Sequence, residues 1–428
     1  MVAAKPSCPA DVDLFEPGAQ EFWFEAYRIL HEQAPVVQLP GGGVVPGTDA
    51  FVITKYDDIS RILRDPVKFP TPGDYAVPPY QQAVFRAAGF GQLVDARETL
   101  RPNHHAHQRH RRQLTGPWVG PAGAERNREM IRDHARALLD CFPDDGEVEF
   151  DQAFAAPLSQ RVIATMLGFP LKDMPKLREW AETQVSRFVV GRTHRNLLPD
   201  EQDRENAKAL VQFNQYIQEQ IDDKRQNPQN DMISFLTNVV YEDRRLTDGE
   251  IMSVVISMHN AGSETTQHAL TSECMLLAQN SKLWTELKAD RAKVHLFVEE
   301  ALRAYAPTQG FSFRLSAEDV EIQGVRIPRE SLLHIRYGSG NRDPEQFANP
   351  ELIDLTRAHI SNHLAFSLGL FSCPGAGLSR LEQNVAINLL LDRFDAVELV
   401  PGKNDFTHKP GIMLALNSLY VRFARGRI

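Results

Sequence analysis

Four short stretches of this 428-residue chain gather side chains that can do chemistry. In HLAFSLGLFSCPGAGLSRLEQNVAINLLL (363–391), Cys373 stands just before an apolar-periodic helix, with Pro374 where a first-turn proline is tolerated. A sulfur so placed faces the positive end of the helix dipole and the free amides of the first turn. Both lower a thiol pKa and stabilise an anionic metal ligand. Gly375, Ala376 and Gly377 are small enough for a flat, bulky group to lie against the helix start, and Gly369 lets the preceding loop turn tightly. Taken by itself, a free cysteine is more often a small buried hydrophobe.

The stretch LTDGEIMSVVISMHNAGSETTQHALTSECMLLA (246–278) reads as a long buried helix interrupted at NAGSETT (260–266). An acid and two hydroxyls, Glu264, Thr265 and Thr266, next to Gly262 are costly there, the glycine alone by about 1 kcal/mol relative to alanine. The plain account sends Glu264 to solvent and lets the threonines bond back to the carbonyl one turn earlier. In VEEALRAYAP (298–307), Glu300 and Arg303 share one helix face at ion-pair spacing, which alone says nothing about function. The fourth stretch, RPNHHAHQRHRR (101–112), holds His104, His105, His107 and His110 among four arginines. Three readings compete for it: a metal site, a nucleic-acid or anion surface, or donors aimed at something negative carried inside the protein.

The elements that must position these groups are mostly helical. Apolar residues recur at three and four over roughly 122–141, 203–224 and 247–279, while strand patterns are short, at 50–56, 147–151, 319–328 and 332–339. The expected fold class is mainly α with a minor β portion. With no repeat or flexible linker, one domain over 1–428 is expected, with β-rich parts at about 35–60 and 310–340. GGGVVPG (41–47) precedes a strand instead of following one, and GSGNRD (338–343) lacks a third glycine, which disfavours a fused nucleotide-binding reductase. The 56 acidic and 47 basic residues give a net charge of −9, so nothing global favours nucleic acid or an anionic membrane. Four cysteines without a CxxC pair fit a reducing compartment, and no run of 18 apolar residues occurs, so a cytoplasmic protein without a membrane anchor is expected.

Taken in order, the motifs resemble the cytochrome P450 superfamily of soluble bacterial haem-thiolate monooxygenases, from about residue 50 onward. AGSETT (261–266) is similar to the oxygen-activating helix motif, EALR (300–303) to the ExxR motif, NRDPEQFANPELIDLTR (341–357) to the run that packs against that pair, and FSLGLFSCPG (366–375) to the haem signature. There are two departures. Ser367 replaces the usual glycine, a mild change provided its φ is negative, and Phe371 replaces the usual propionate-binding His or Arg.

The resemblance implies a cytochrome P450-like fold, haem b as cofactor and Cys373 as the iron ligand. It assigns His107 and Arg111 (in AHQRHRRQL) and Arg314 (in FRLSAEDVEIQG) to the propionates, and Ala261, Phe366, Gly375 and Ala376 to the cofactor's surroundings. It assigns proton delivery to Glu264 and Thr265, gives Ala261 and Gly262 the role of leaving room for O2, and makes Glu300 and Arg303 structural. Arg101, Arg109 and Arg112 then suit a proximal surface that steers in an acidic electron carrier. The implied partners are a separate ferredoxin or flavodoxin with its NAD(P)H reductase, and O2; a monomer is the default.

Tyr75, Ser257, Asn260, Phe311 and Phe313, with Tyr80, Phe85 and Phe90, are candidate pocket residues for a compact aromatic or terpenoid substrate bearing a polar group, to be hydroxylated or O-demethylated. The alternatives are a peroxide-driven peroxygenase of the same fold and a haem protein that binds or senses a ligand without turnover.

Overall fold

The computed structural model describes residues 5–72, 79–101, 103–143, 146–186, 198–310 and 312–424. A central helix, Asp248–Gln279, organises them. Its start is set by a capping box: the Glu250 amide donates to Thr247 Oγ1 at 3.2 Å, and the Thr247 amide donates to the Glu250 carboxylate at 2.8 Å. Buried residues run around much of its circumference, as expected of a helix that other helices enclose.

The interruption expected at 260–266 is absent, because the helix satisfies its own hydroxyls. Ser263 Oγ donates to His259 O at 2.6 Å and Thr265 Oγ1 to Ala261 O at 2.8 Å. Gly262 also serves the packing of this helix. A Cβ there would lie 2.9 Å from the Ile163 side chain of the neighbouring helix Ala156–Leu167, so the glycine permits close helix packing.

The strand pattern is close to that expected. Val36–Leu39, Ala50–Ile53, Leu332–Ile335 and Ser312–Leu315 form one sheet in that order, with Ala50–Ile53 parallel to Leu332–Ile335. A second sheet joins Ala396–Leu399, Tyr420–Ala424 and Glu147–Glu149. The single helix expected over 122–141 is two, Pro121–Glu125 and Arg128–Leu139.

Below the central helix, Val294–Ala304 carries Glu300 and Arg303, both fully buried. Arg303 Nε and Nη2 donate to the two Glu300 oxygens at 2.7 and 2.9 Å, and its remaining donors reach Asn341 O at 2.9 Å and Leu352 O at 3.1 Å. Glu300 also accepts from Arg357 Nε at 3.0 Å and from the Asp354 amide at 3.1 Å. The pair therefore ties the ion-pair helix to the 341–357 segment. Asn341 Oδ1 in turn accepts from the Leu364 amide at 2.5 Å, which anchors the loop leading to Cys373. Arg303→Met should cost about 3–5 kcal/mol, since Glu300 and two backbone carbonyls lose a buried donor. A urea midpoint within error of the parent would contradict that expectation.

Candidate functional site

Cys373 lies between the short turn Gly369–Phe371 and the cysteine helix Ala376–Arg393. Its amide donates to Phe366 O at 2.7 Å, closing the loop on itself. Gly369 has φ +68° and a Cβ there would meet Leu63 O at 2.6 Å, so the tight turn does require glycine. The Cys373 side chain is accessible although it sits deep within the molecule, as at the floor of a recess. Burial pushes its thiol pKa up; the Gly375 amide, Arg111, Arg380 and the Ala376 amide offset this only in part. The lowering expected from the helix start is thus present but outweighed by desolvation in the free thiol. A bound metal cation removes that proton.

Ser367 does not meet the condition under which it was a mild replacement. Its φ is +58°, the left-handed region where a side chain costs about 1 kcal/mol or more. The hydroxyl offsets this by accepting from Tyr337 OH at 2.9 Å. Ser367→Gly removes both the strain and a hydrogen bond of about 1 kcal/mol, so stability should change by less than about 1 kcal/mol in chemical denaturation. A larger change in either direction would contradict this balance.

Phe371 occupies the space between two of the expected anion donors. Its ring centroid is 4.8 Å from that of His107, and the Arg314 guanidinium carbon is 5.1 Å from its centre. Arg111 Nη1 donates to Leu370 O at 2.8 Å and Ser372 Oγ at 3.2 Å, bridging directly to the cysteine loop. It leaves a helix, His104–His110, whose start is capped by Asn103 and whose end widens into a π-turn at Arg111–Thr115. Arg314 is 3% exposed; its Nη1 donates to Ser312 Oγ and Phe313 O at 2.8 and 2.7 Å, while Nε and Nη2 have no partner among the described residues. A buried guanidinium with two idle donors is costly unless an anion meets it. The donor set around the Cys373 recess therefore fits a group that carries carboxylates.

The rest of the histidine patch divides differently. His110 is buried, and burial followed by Arg101, His107 and Arg111 pushes its pKa down to about 3, so it is a neutral ring. Arg109 Nε donates to Glu242 at 2.8 Å, which occupies one of the arginines expected to face a partner. Among the described residues, no three His, Cys, Asp or Glu side chains converge as metal ligands.

On the central helix, Ser257 and Ala261 are exposed and Thr265 is half-buried, a stripe at four-residue spacing on an otherwise enclosed helix. Asn260 lies beside it, half-buried, with Oδ1 3.5 Å from His259 Nδ1. One turn beyond Thr265, Ala269 packs in a cluster with Val298 and Leu302 against which Phe366 rests, and Thr266 Oγ1 donates to Ser379 Oγ at 3.0 Å. These contacts bring the acid–alcohol helix onto the cysteine loop and the cysteine helix.

Glu264 does not point to open solvent. It lines a cleft of about 390 Å³ with Arg178, Glu182, Gln267, His268 and Lys409. Burial pushes its pKa up to about 7, Lys409 opposing and Glu182 and Asp151 adding to the shift.

Phe313 is not brought to the accessible stripe. It is 9% exposed and packs edge-on to His334 at 5.1 Å, in a cluster with Leu14 and Trp23, on the strand face opposite Arg314. Phe85 is likewise core. Tyr75 and Phe311 lie outside the described residues.

Two groups escaped the sequence reading. Buried Asp151 accepts from Gln267 Nε2 at 2.9 Å and Thr271 Oγ1 at 3.0 Å, and Glu299 accepts from Arg380 and His363. Only their burial marks them, and sequence does not report that.

The helical body, the small sheets and the cysteine loop are those of a haem-thiolate fold. The chain belongs to the cytochrome P450 family, whose profile matches residues 44–423. The members bind haem b and are monooxygenases. A biotin biosynthesis cytochrome P450 of Bacillus subtilis is 32% identical over 81% of this chain and 84% of its own length. The polyketide biosynthesis cytochrome P450 PksS of the same organism is 28% identical over 96% of this chain and 99% of its own. Among solved structures, P450BioI in complex with an acyl carrier protein ligated to hexadec-9Z-enoic acid superposes with a TM-score of 0.80 at 29% identity, covering 94% of this chain and 99% of that one. No helix among the described residues is long and apolar enough to cross a membrane.

Proposed function

We propose that this chain is a single-domain, O2-dependent hydroxylase or O-demethylase, driven by a separate ferredoxin or flavodoxin with its NAD(P)H reductase. Its substrate is a compact hydrophobic molecule of aromatic or terpenoid type bearing a polar group. The observation that carries this reading is the acid–alcohol pair: Glu264, buried in a polar cleft with a carboxyl near neutrality, beside Thr265 on the accessible stripe.

In this reading Cys373 holds the haem iron, His107, Arg111 and Arg314 take the propionates, and Ala261, Phe366, Gly375 and Ala376 border the ring. Bound haem supplies the reductive activation of O2, with the thiolate favouring O–O cleavage. Glu264 holds a proton at its carboxyl near neutral pH. Thr265 Oγ1 donates a hydrogen bond to Ala261 O, which leaves its oxygen lone pairs free to accept a hydrogen bond from the distal side. Ser257 and Asn260 offer the substrate a hydroxyl and an amide on the same helix. Two relatives support oxygen insertion by name, a 6-deoxyerythronolide B hydroxylase of Saccharopolyspora erythraea (29% identical) and a cyclomarin C epoxidase of Salinispora arenicola (30% identical).

The test is product formation with NADH, ferredoxin and ferredoxin reductase, set against hydrogen peroxide alone. Turnover that needs the electron carriers supports the reading. Equal or faster turnover with peroxide alone would replace it by a peroxygenase.

A further inference from the structure

On the proximal side, a hydrogen-bonded triad joins three elements that meet at the cysteine loop. Arg380 of the cysteine helix donates from Nε and Nη2 to Glu299 at 2.5 and 2.8 Å, a bidentate pair. His363, 1% exposed, places Nε2 3.2 Å from the same carboxylate, and its Nδ1 accepts from the Ala365 amide at 3.2 Å. Hydrogen bonds from His363 and Arg380 overcome the burial of Glu299 and hold its pKa down at about 2. Glu273 of the central helix also lies near Glu299, and burial pushes its own pKa well up, whereas that of Glu299 is held down.

The triad reaches Cys373 through Phe366. The Arg380 guanidinium carbon lies 4.4 Å from the centre of the Phe366 ring, and the carbonyl of that same residue accepts the Cys373 amide at 2.7 Å. Nothing in the ion pair is needed to close the fold around Glu300 and Arg303, which have their own partners.

We propose that Glu299 and Arg380 are positioning residues that set the electron-donating strength of Cys373. Arg380 holds a positive charge against Phe366, whose carbonyl accepts the Cys373 amide, and Glu299 both fixes that charge in place and cancels part of it. This rests on Cys373 being the haem ligand, as proposed above. A positive charge near the iron favours the form that has gained an electron, so the two partners must act in opposite directions.

The experiment is a spectroelectrochemical titration of the haem-loaded, substrate-free protein, with the carbon-monoxide spectrum of each variant recorded alongside. Glu299→Gln should move the potential upward and Arg380→Gln downward, each by about tenfold in the reduction equilibrium, or about 59 mV for one electron. Arg380→Lys, which keeps the charge, should stay near the parent, and so should the Glu299→Gln/Arg380→Gln double variant. Arg132→Gln and Arg136→Gln, which remove like charges from the groove that Arg380 borders, should leave the potential unmoved. If both single variants shift in the same direction, or neither shifts while the thiolate band is intact, the triad is only structural and the proposal is overturned. A parent protein without a thiolate band would overturn the ligand assignment as well.

Discussion

Cys373→Ser should fold normally and lose monooxygenase turnover by about 10³-fold or more, equivalent to about 4 kcal/mol in the barrier. The fold survives because the side chain is accessible and the loop is held by backbone contacts, the Cys373 amide on Phe366 O and Arg111 on Leu370 O. Activity does not survive because a serine oxygen is a poorer donor than a thiolate, and that donation is what favours O–O cleavage. Product formation per bound haem, with haem quantified separately, checks the expectation. A variant that retains a tenth of the parent rate at equal haem content would show that the sulfur is not the ligand on which the chemistry depends.

Glu264→Gln should slow coupled turnover by about 10²-fold and also remove its pH dependence. With a carboxyl near 7, Glu264 is protonated below that pH and ionised above it. As the proton donor it gives a coupled rate that is flat at acidic pH and falls as pH rises through about 7. Glutamine cannot donate that proton, so the limb disappears along with most of the rate.

Stability follows the same sign. Because the folded protein raises this pKa, the contribution is fully present below the unfolded value, near 4.5, and is lost as pH rises through about 7. The glutamine variant should lack this part of the pH dependence in denaturation. The rate of product formation, with product formed per NADH consumed recorded alongside, from pH 5.5 to 8.5 is the measurement. A parent rate that rises through about 7 would mean that Glu264 acts as a base, and an unchanged variant would remove it from the proton path.

The parts of the fold and site that were legible in sequence are those governed by local chemistry. The central helix, the short strands and the Cys373 helix follow from periodicity and caps, and the glycine turn at Gly369 follows from residue type. What depended on distant neighbours was not legible. Gly262 owes its place to Ile163 of another helix, and Phe313 to Leu14, Trp23 and His334. The split at Arg126–Asn127 leaves the apolar spacing of 122–141 nearly unchanged, so periodicity passes over it. The positive φ of Ser367 is a property of the loop's path, and the Glu299–Arg380–His363 triad spans 64 to 81 residues of sequence. Phe371 was legible as a departure, but its position between His107 and Arg314 was not.

The central claim is that Cys373 presents a thiolate to haem iron. Its most direct test is the carbon-monoxide difference spectrum of the dithionite-reduced protein, parent against Cys373→Ser. The account predicts a strongly red-shifted Soret band in the parent that is missing from the variant. A histidine-type band in the parent, or a red-shifted band that persists in the variant, would contradict it.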